Sequence, residues 1–398
     1  MTEKEEETQE KRLLAKLERL TQTGSSDMGF VAEELQHLYE RELAGVDLRK
    51  ATPEQRARMM GILKKIGDVN NMVGSFENAM KFYDQVLRED PDSLMSAEIH
   101  RTLGLKERDA TKWAKANQHF KRSLEICTAK RDDIGIADSH HYLGYVLWRR
   151  GDFDASLKEY SMAIKLLKAL EARPDLKRQV EEKLAIIRIE EGNILGEKGK
   201  LEEALASYKY ALEVLTRLEN RWEVARIHNN VGHLLVNLGK LDEALKEFEA
   251  CLKIGQRLKD QRWQGWSRFN MAEVYGRKGD AAKAKVLANE AMKHLAKIQD
   301  FIGLAKASYT LGYAYMAEGN NAEAKTRFEE SIRKVEQNDM PSLAAYYTYQ
   351  YALALVKMGE KDMALRLLKK SLHLYKLVGS DGYVAKLQAD IEKFSKPS

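Results

Sequence analysis

Cysteine is nearly missing from this chain. Cys127 and Cys251 are the only two in 398 residues, too few for the disulfide framework of a small secreted domain and in keeping with a reducing compartment. No apolar run approaches the roughly 18 residues that a membrane span requires. The opening stretch MTEKEEETQEKRLL is acidic and has no apolar core, so it does not read as a signal peptide. These absences predict a soluble, cytoplasmic chain. Proline is scarce as well, with five residues, and the plentiful alanine, leucine, lysine and glutamate favour helix. The net charge of +5 and the pI of about 8.8 are mild for this length and suit a uniformly solvated surface.

Catalytic signatures are missing too. Nine histidines are present, without an HExxH arrangement, and no CxxC occurs. His140 and His141 are adjacent and point apart on a helix, while His228 and His233 stand five apart, an awkward spacing for a shared metal. GNILGEKG has no preceding strand and no following lysine with serine or threonine, so it is not a phosphate loop. Acidic pairs such as Glu190 with Glu191 read as solvated helix faces. The two thiols fall toward packing faces, where a thiol serves as a small hydrophobe. No metal, cofactor or catalytic residue is expected, and the chain reads as a non-enzyme.

What is present is repetition. A turn marker recurs as Gly74, Thr111, Gly151, Gly199, Gly239, Gly279, Gly319 and Gly359, at intervals of 37, 40, 48, 40, 40, 40 and 40 residues. Four equal intervals in succession define eight units. Asp152, Asp280 and Asn320 follow the marker, where such side chains cap a helix. Seven residues before the marker stands a small residue: Gly67, Gly104, Gly144, Gly192, Gly232, Ala272, Gly312 or Ala352. Five residues after it comes Ala79, Ala116, Ser156, Ala204, Ala244, Ala284, Ala324 or Ala364. Four further on, Phe120, Tyr160, Tyr208, Phe248, Phe328 and Leu368 complete an apolar stripe. Each unit is then a helix pair that buries its stripe only by stacking on its neighbours.

The prolines agree with this segmentation: Pro53, Pro91, Pro174 and Pro341 lie at junctions. The 48-residue interval predicts a protruding loop or longer helices around residues 172–178. Two amphipathic helices are expected at 7–22 and 29–44. The resulting division is an amino-terminal helical extension or cap (1–50), an eight-unit solenoid (51–378), and a capping helix with tail (379–398). Lys386, Gln388, Asp390, Glu392 and Lys393 would give the last helix its polar outer face.

This pattern resembles the tetratricopeptide repeat over residues 57–378. The forty-residue unit is similar to those of Pins-type adaptors, kinesin light chains and bacterial regulators of the MalT and Rap kinds. The resemblance implies an all-α solenoid, a right-handed superhelix of stacked antiparallel helix pairs. Its first helices would line a concave groove that binds a peptide or protein segment. Two residues before the small one come Asn230, Asn270, Thr310 and Gln350. In Pins-like proteins asparagines at this place hold an extended partner backbone; tying neighbouring units together is the other reading. One residue earlier stand Asn229, Phe269, Tyr309 and Tyr349. Three further back are Arg226, Trp266, Lys306 and Tyr346, and just after the small residue come His233, Glu273 and Tyr313. With Arg277 these residues form an aromatic and basic groove, the composition of a binding hot spot, and their charges favour an acidic segment. His141, Tyr145, Trp148 and Arg149 would continue it. The clamp of chaperone-binding members is not expected, since Asp68, Thr102, Asn229 and His233 depart from it. The alternatives are a nucleic-acid-associated helical repeat, against which basic residues are scattered among acids, and a self-assembling structural scaffold. The chain's own terminal helix is a further candidate occupant of the groove.

Overall fold

At every turn marker the backbone takes a left-handed conformation. The seven marker glycines have φ between +74° and +87°, and Thr111 has φ +57°, a region that glycine enters freely and other residues rarely. The chain reverses there. The computed structural model describes residues 3–23, 27–43, 50–378 and 380–395. Among the described residues it holds nineteen α-helices and no strand. Helices α1 (Glu3–Thr23) and α2 (Met28–Leu43) precede eight pairs. These are α3 (Pro53–Met72) with α4 (Phe76–Glu89), α5 (Leu94–Asp109) with α6 (Trp113–Lys130), and α7 (Asp133–Arg149) with α8 (Phe153–Leu170). Next come α9 (Lys177–Glu197) with α10 (Leu201–Arg217), α11 (Arg221–Asn237) with α12 (Leu241–Arg257), and α13 (Gln261–Arg277) with α14 (Ala281–Lys297). The last pairs are α15 (Phe301–Ala317) with α16 (Asn321–Glu336) and α17 (Pro341–Lys357) with α18 (Lys361–Leu377), followed by α19 (Asp381–Ser395).

Side chains cap these helices on the same period. Asp152, Asp280 and Asn320 accept from the third backbone N–H of α8, α14 and α16. Asn220, Asp260 and Asp300 do the same for α11, α13 and α15. The turns between units carry a second left-handed series, Glu219, Lys259, Gln299 and Asp339. Without glycine to mark it, that series is silent in the sequence.

Packing inside a pair is a fit of glycine against ring. A Cβ placed on Gly67, Gly104, Gly144, Gly192, Gly232 or Gly312 would lie 2.4–2.9 Å from Tyr83, Phe120, Tyr160, Tyr208, Phe248 or Phe328 respectively. Where alanine replaces the glycine, the ring is gone as well. Ala272 shares its core with Ala288, and Ala352 shares its core with Leu368.

Backbone contacts divide the chain into two compact units, Met1–Gly104 with His119–Ile136, and Leu105–Gln118 with Ala137–Ser398. In the first unit α1, α2 and α3 share a core of Leu17, Val31, Leu35, Tyr39, Ile62 and Ile66. His100 and His119 face each other with Nδ1 atoms 3.0 Å apart, an arrangement in which one ring donates and the other accepts. Burial, then the nearness of His119 and Arg122, pushes the His100 pKa down to about 4. The unfolded chain binds this proton near pH 6.5 and the folded chain only near pH 4, so the contribution is intact above about pH 6.5 and is lost as pH falls toward 4. Urea midpoints at pH 7 and pH 5 should therefore separate in the wild type and draw together in His100→Asn. An identical separation in both proteins would place the effect elsewhere.

In the second unit the irregular interval resolves into both expected forms. Helix α8 has 18 residues and α9 has 21, against 17 in α10 to α15. Residues 171–176 form a mostly exposed six-residue connection where those after α10, α12 and α14 have three. This unit also closes on itself. The Trp113 indole N–H donates to Ser342 Oγ at 3.0 Å, 229 residues away, and Gly151 meets the backbone of Gly382. Cys251 is buried here and Cys127 in the first unit, both as free thiols. No described helix is long and apolar enough to cross a membrane.

Candidate binding cavity

Counting back from the small residue of each first helix, positions ten, six and two before it and one after it fall on one stripe of a 3.6-residue helix. That stripe faces the hollow of the second unit. It presents Trp222, Arg226, Asn230 and His233 from α11, Trp266 from α13, Ile302 and Lys306 from α15, and Tyr346 from α17. With Tyr145, Trp148, Arg149, Glu190, Asn193, Trp263 and Tyr383 they line a cavity of about 520 Å³. An adjoining lobe of about 390 Å³ shares Trp148, Arg149, Asn193, Asn230, His233 and Lys306 with it. All five tryptophans of the chain, Trp113, Trp148, Trp222, Trp263 and Trp266, line the larger cavity.

Of the residues expected in a groove, Arg226, Asn229, Asn230, His233, Trp266, Lys306 and Tyr346 line this cavity. Glu273, Arg277, Tyr309 and Tyr313 line a second one of about 640 Å³, bounded also by Gln350, Lys357 and Phe394 of α19. Three expectations are corrected. Phe269 is 0% exposed and packs on Ala291, Leu295 and Ala307. Tyr349 is 6% exposed in the core shared with Leu368, Tyr375 and Leu387. Asn270 is 1% exposed, and its amide donates to Asn229 Oδ1 at 2.6 Å.

Phe269 and Tyr349 stand three before their small residues, and Asn270 stands two before its own. The residue three before the small one faces the next first helix, so it packs between units or bonds the polar residue 41 positions on. Tyr309 donates to Gln350 at 3.2 Å and Tyr349 to Asp390 at 2.6 Å, repeating the Asn229–Asn270 contact. Asn230 likewise donates to Asn193 at 2.9 Å. These amides tie unit to unit, and α19 takes the rung of a ninth first helix.

A further correction concerns Glu190. Read as one of a solvated acidic pair, it is 4% exposed. It accepts from the Tyr160 hydroxyl at 2.9 Å, bonds His141 Nε2 at 3.0 Å, and stands 3.6 Å from Arg226 Nη1. Burial pushes its pKa up, but His141, Arg226 and Tyr160 outweigh burial and hold the carboxyl below its ordinary value. Arg226 also pairs with Glu223 at 2.6 Å. Burial pushes the His233 pKa well below its ordinary value, with Lys306 and Arg277 adding to the effect. Lys306 is drawn below the usual lysine value by burial; Glu273 opposes this and Arg149 reinforces it. The Lys306 ammonium lies 5.6 Å from the Trp266 ring and 5.0 Å from Phe269. Arg149 lies over Trp113 and Trp148 at 5.9 and 5.6 Å.

Among the described residues no cluster of three histidine, cysteine or carboxylate side chains is placed to hold a metal. Sequence reasoning missed Trp222, Trp263 and Trp113. Trp222 extends the stripe by one helical turn toward the amino end, and Trp263, nine before Ala272, lies beside it. The third comes from a second helix and reaches the cavity only through the closure at Ser342.

This is a stacked helix-hairpin solenoid with an aromatic hollow. Residues 223–297, 305–333 and 137–157 each match a tetratricopeptide-repeat profile. These three stretches are tetratricopeptide repeats. Among solved structures it is similar to a Rap protein complexed with Competence and Sporulation Factor, with 17% identity, a TM-score of 0.65, and coverage of 93% of this chain and 98% of that one. It is also similar to the Rap conjugation gene regulator of the plasmid pLS20 in complex with the Phr* peptide, at 14% identity and TM-score 0.60, covering 91% and 95%. Aspartyl phosphate phosphatase F from Bacillus subtilis is similar at 13% identity and TM-score 0.59, covering 91% and 94%. At these identities the likeness is one of fold. No curated protein matches the chain by sequence.

Proposed function

We propose that the chain is a non-catalytic cytoplasmic scaffold that binds a peptide or protein segment on the first-helix face of α7 to α17. The eight units of residues 51–378 form the scaffold, flanked by a helical extension at 1–50 and a capping helix at 379–398. The observation that carries this reading is the gathering of all five tryptophans on one cavity wall. Tryptophan is costly to leave half-wet and is the residue most enriched at binding hot spots. Two solved structures of the same fold are described as complexes, one with Competence and Sporulation Factor and one with the Phr* peptide. Arg149 and Lys306, without an ion pair of their own, favour an acidic segment, and their setting behind aromatic walls suits a chain end better than a nucleic-acid backbone.

The test is affinity purification from the native cell with wild type and with Trp222→Ala, followed by calorimetry on the segment recovered. Truncating a hot-spot anchor costs about 2 kcal/mol, a loss of roughly 30-fold in affinity. Wild-type affinity in both Trp222→Ala and Tyr346→Ala, with the fold intact by circular dichroism, would remove this face from consideration.

A further inference from the structure

The chemistry of the occupant follows from what the cavity leaves unsatisfied, and the inference rests on the binding reading above. Arg149 and Lys306 line both lobes, and neither has an ion-pair partner among the described residues. The carboxylates nearby are already engaged: Glu190 by His141, Tyr160 and Arg226, Glu223 by Arg226, and Glu197 of the smaller lobe by the Trp148 indole N–H, which donates to it at 2.9 Å. Rings supply part of what the two cations lack, but a cation–π contact is worth only about 0.5–2 kcal/mol. The unpaired buried polar atoms of this wall are donors: Trp263 Nε1, on a residue 3% exposed, and Arg226 Nη2. An acceptor-rich ligand is what such a wall lacks.

Size narrows the choice. A volume of about 520 Å³ falls within the roughly 300–1,000 Å³ of small-ligand sites. A helix with its side chains is about 10–12 Å across, too bulky for this space. Apolar surface is also on offer, since Trp222, Trp263 and Trp266 form a run of ring contacts with centroids 5.1 and 6.2 Å apart.

We propose that this cavity takes the carboxylate end of an aromatic or apolar ligand, with the anion between Arg149 and Lys306 and the apolar body against Trp222, Trp263 and Trp266. The Trp263 N–H and Arg226 Nη2 donate to further acceptors. A carboxyl-terminal chain end and a free aromatic acid share this chemistry.

Because every tryptophan lines the cavity, tryptophan emission excited beyond the tyrosine absorption band reports on it alone. Four probes are titrated into the full chain: a randomised pentapeptide mixture with free carboxyl termini, the same mixture amidated, 3-phenylpropanoate and 3-phenylpropanamide. Each acid should perturb the tryptophans at least tenfold more tightly than its amide. Response to the peptide acids alone identifies a chain end, and response to 3-phenylpropanoate identifies a free acid as sufficient. Arg149→Gln and Lys306→Gln should each weaken the acid by about tenfold, with melting curves unchanged and Lys386→Gln as an unaffected control. If acid and amide bind alike, or both glutamine variants bind like wild type, the anion assignment falls while segment binding stands. If no probe perturbs the tryptophans the proposal falls too, and segment binding is then decided separately by Trp222→Ala against the native partner.

Discussion

One methyl group added at Gly232 should destabilise the chain, and the sign should reverse once Phe248 is cut back to alanine. In an exposed helix, glycine to alanine is worth about 1 kcal/mol of stabilisation. At Gly232 the new Cβ would lie 2.5 Å from Phe248 Cε1, in a core that holds the ring fully buried. Overpacking of this kind costs about 1–3 kcal/mol, so the net change is expected to be a loss of up to about 2 kcal/mol. Phe248→Ala alone leaves a cavity and should cost about 3–5 kcal/mol. In that background Gly232→Ala fills space and regains helix propensity, as the chain itself does with Ala272 and Ala288. Urea unfolding of the four proteins gives the coupling directly, expected near the upper end of about 0.5–3 kcal/mol for residues in contact. A neutral Gly232→Ala in the wild type would mean that the ring yields without strain.

That complementarity also shows what a sequence can and cannot disclose here. Turn glycines and small residues recur at fixed offsets, so helix number, turn positions and fold class were legible before any coordinates. Ala272 was legible as a member of the small-residue series, but its partner Ala288, sixteen residues on, was not singled out. The hollow-facing stripe through Arg226, Asn230 and His233 was legible because one helix fixes its own period. What that period cannot say is whether a residue at the stripe's edge faces the hollow or the next unit. Phe269 and Tyr349 lie on that edge, Asn270 holds the stripe position of Asn230 yet is claimed by Asn229, and the partners of Asn270 and Tyr349 stand 41 residues away. Trp113 was beyond reach for a stronger reason, since it arrives through a contact across 229 residues. Glu190 looked solvated because an acidic pair on a helix usually is; its partners His141 and Arg226 lie 49 and 36 residues away.

Replacing Glu190 with alanine is expected to cost about 3–5 kcal/mol, the range for removing one partner of a buried ion pair. The loss arises at the groups left behind: the Tyr160 hydroxyl in a buried setting, His141, and Arg226 with Glu223 as its remaining partner. Glu190→Gln keeps the shape and one acceptor, so it should cost less. It should also remove an acid-limb dependence. The folded pKa of Glu190 lies below its unfolded value near 4.5, so its stabilisation is complete above that pH and is lost as pH falls further. A urea midpoint falling below pH 4.5 by the same amount in Glu190→Gln as in wild type would assign the acid limb to other carboxylates. The same substitution separates a structural role from a role in the cavity. Losing one negative charge beside Arg226 leaves Glu223 as its remaining carboxylate partner, with Arg149 and Lys306 facing any ligand. Binding of 3-phenylpropanoate should then tighten by a few fold in Glu190→Gln even as the fold weakens. If stability and affinity fall together instead, Glu190 acts by positioning Arg226 and α11, and the electrostatic balance of the wall is set by Arg149 and Lys306 alone.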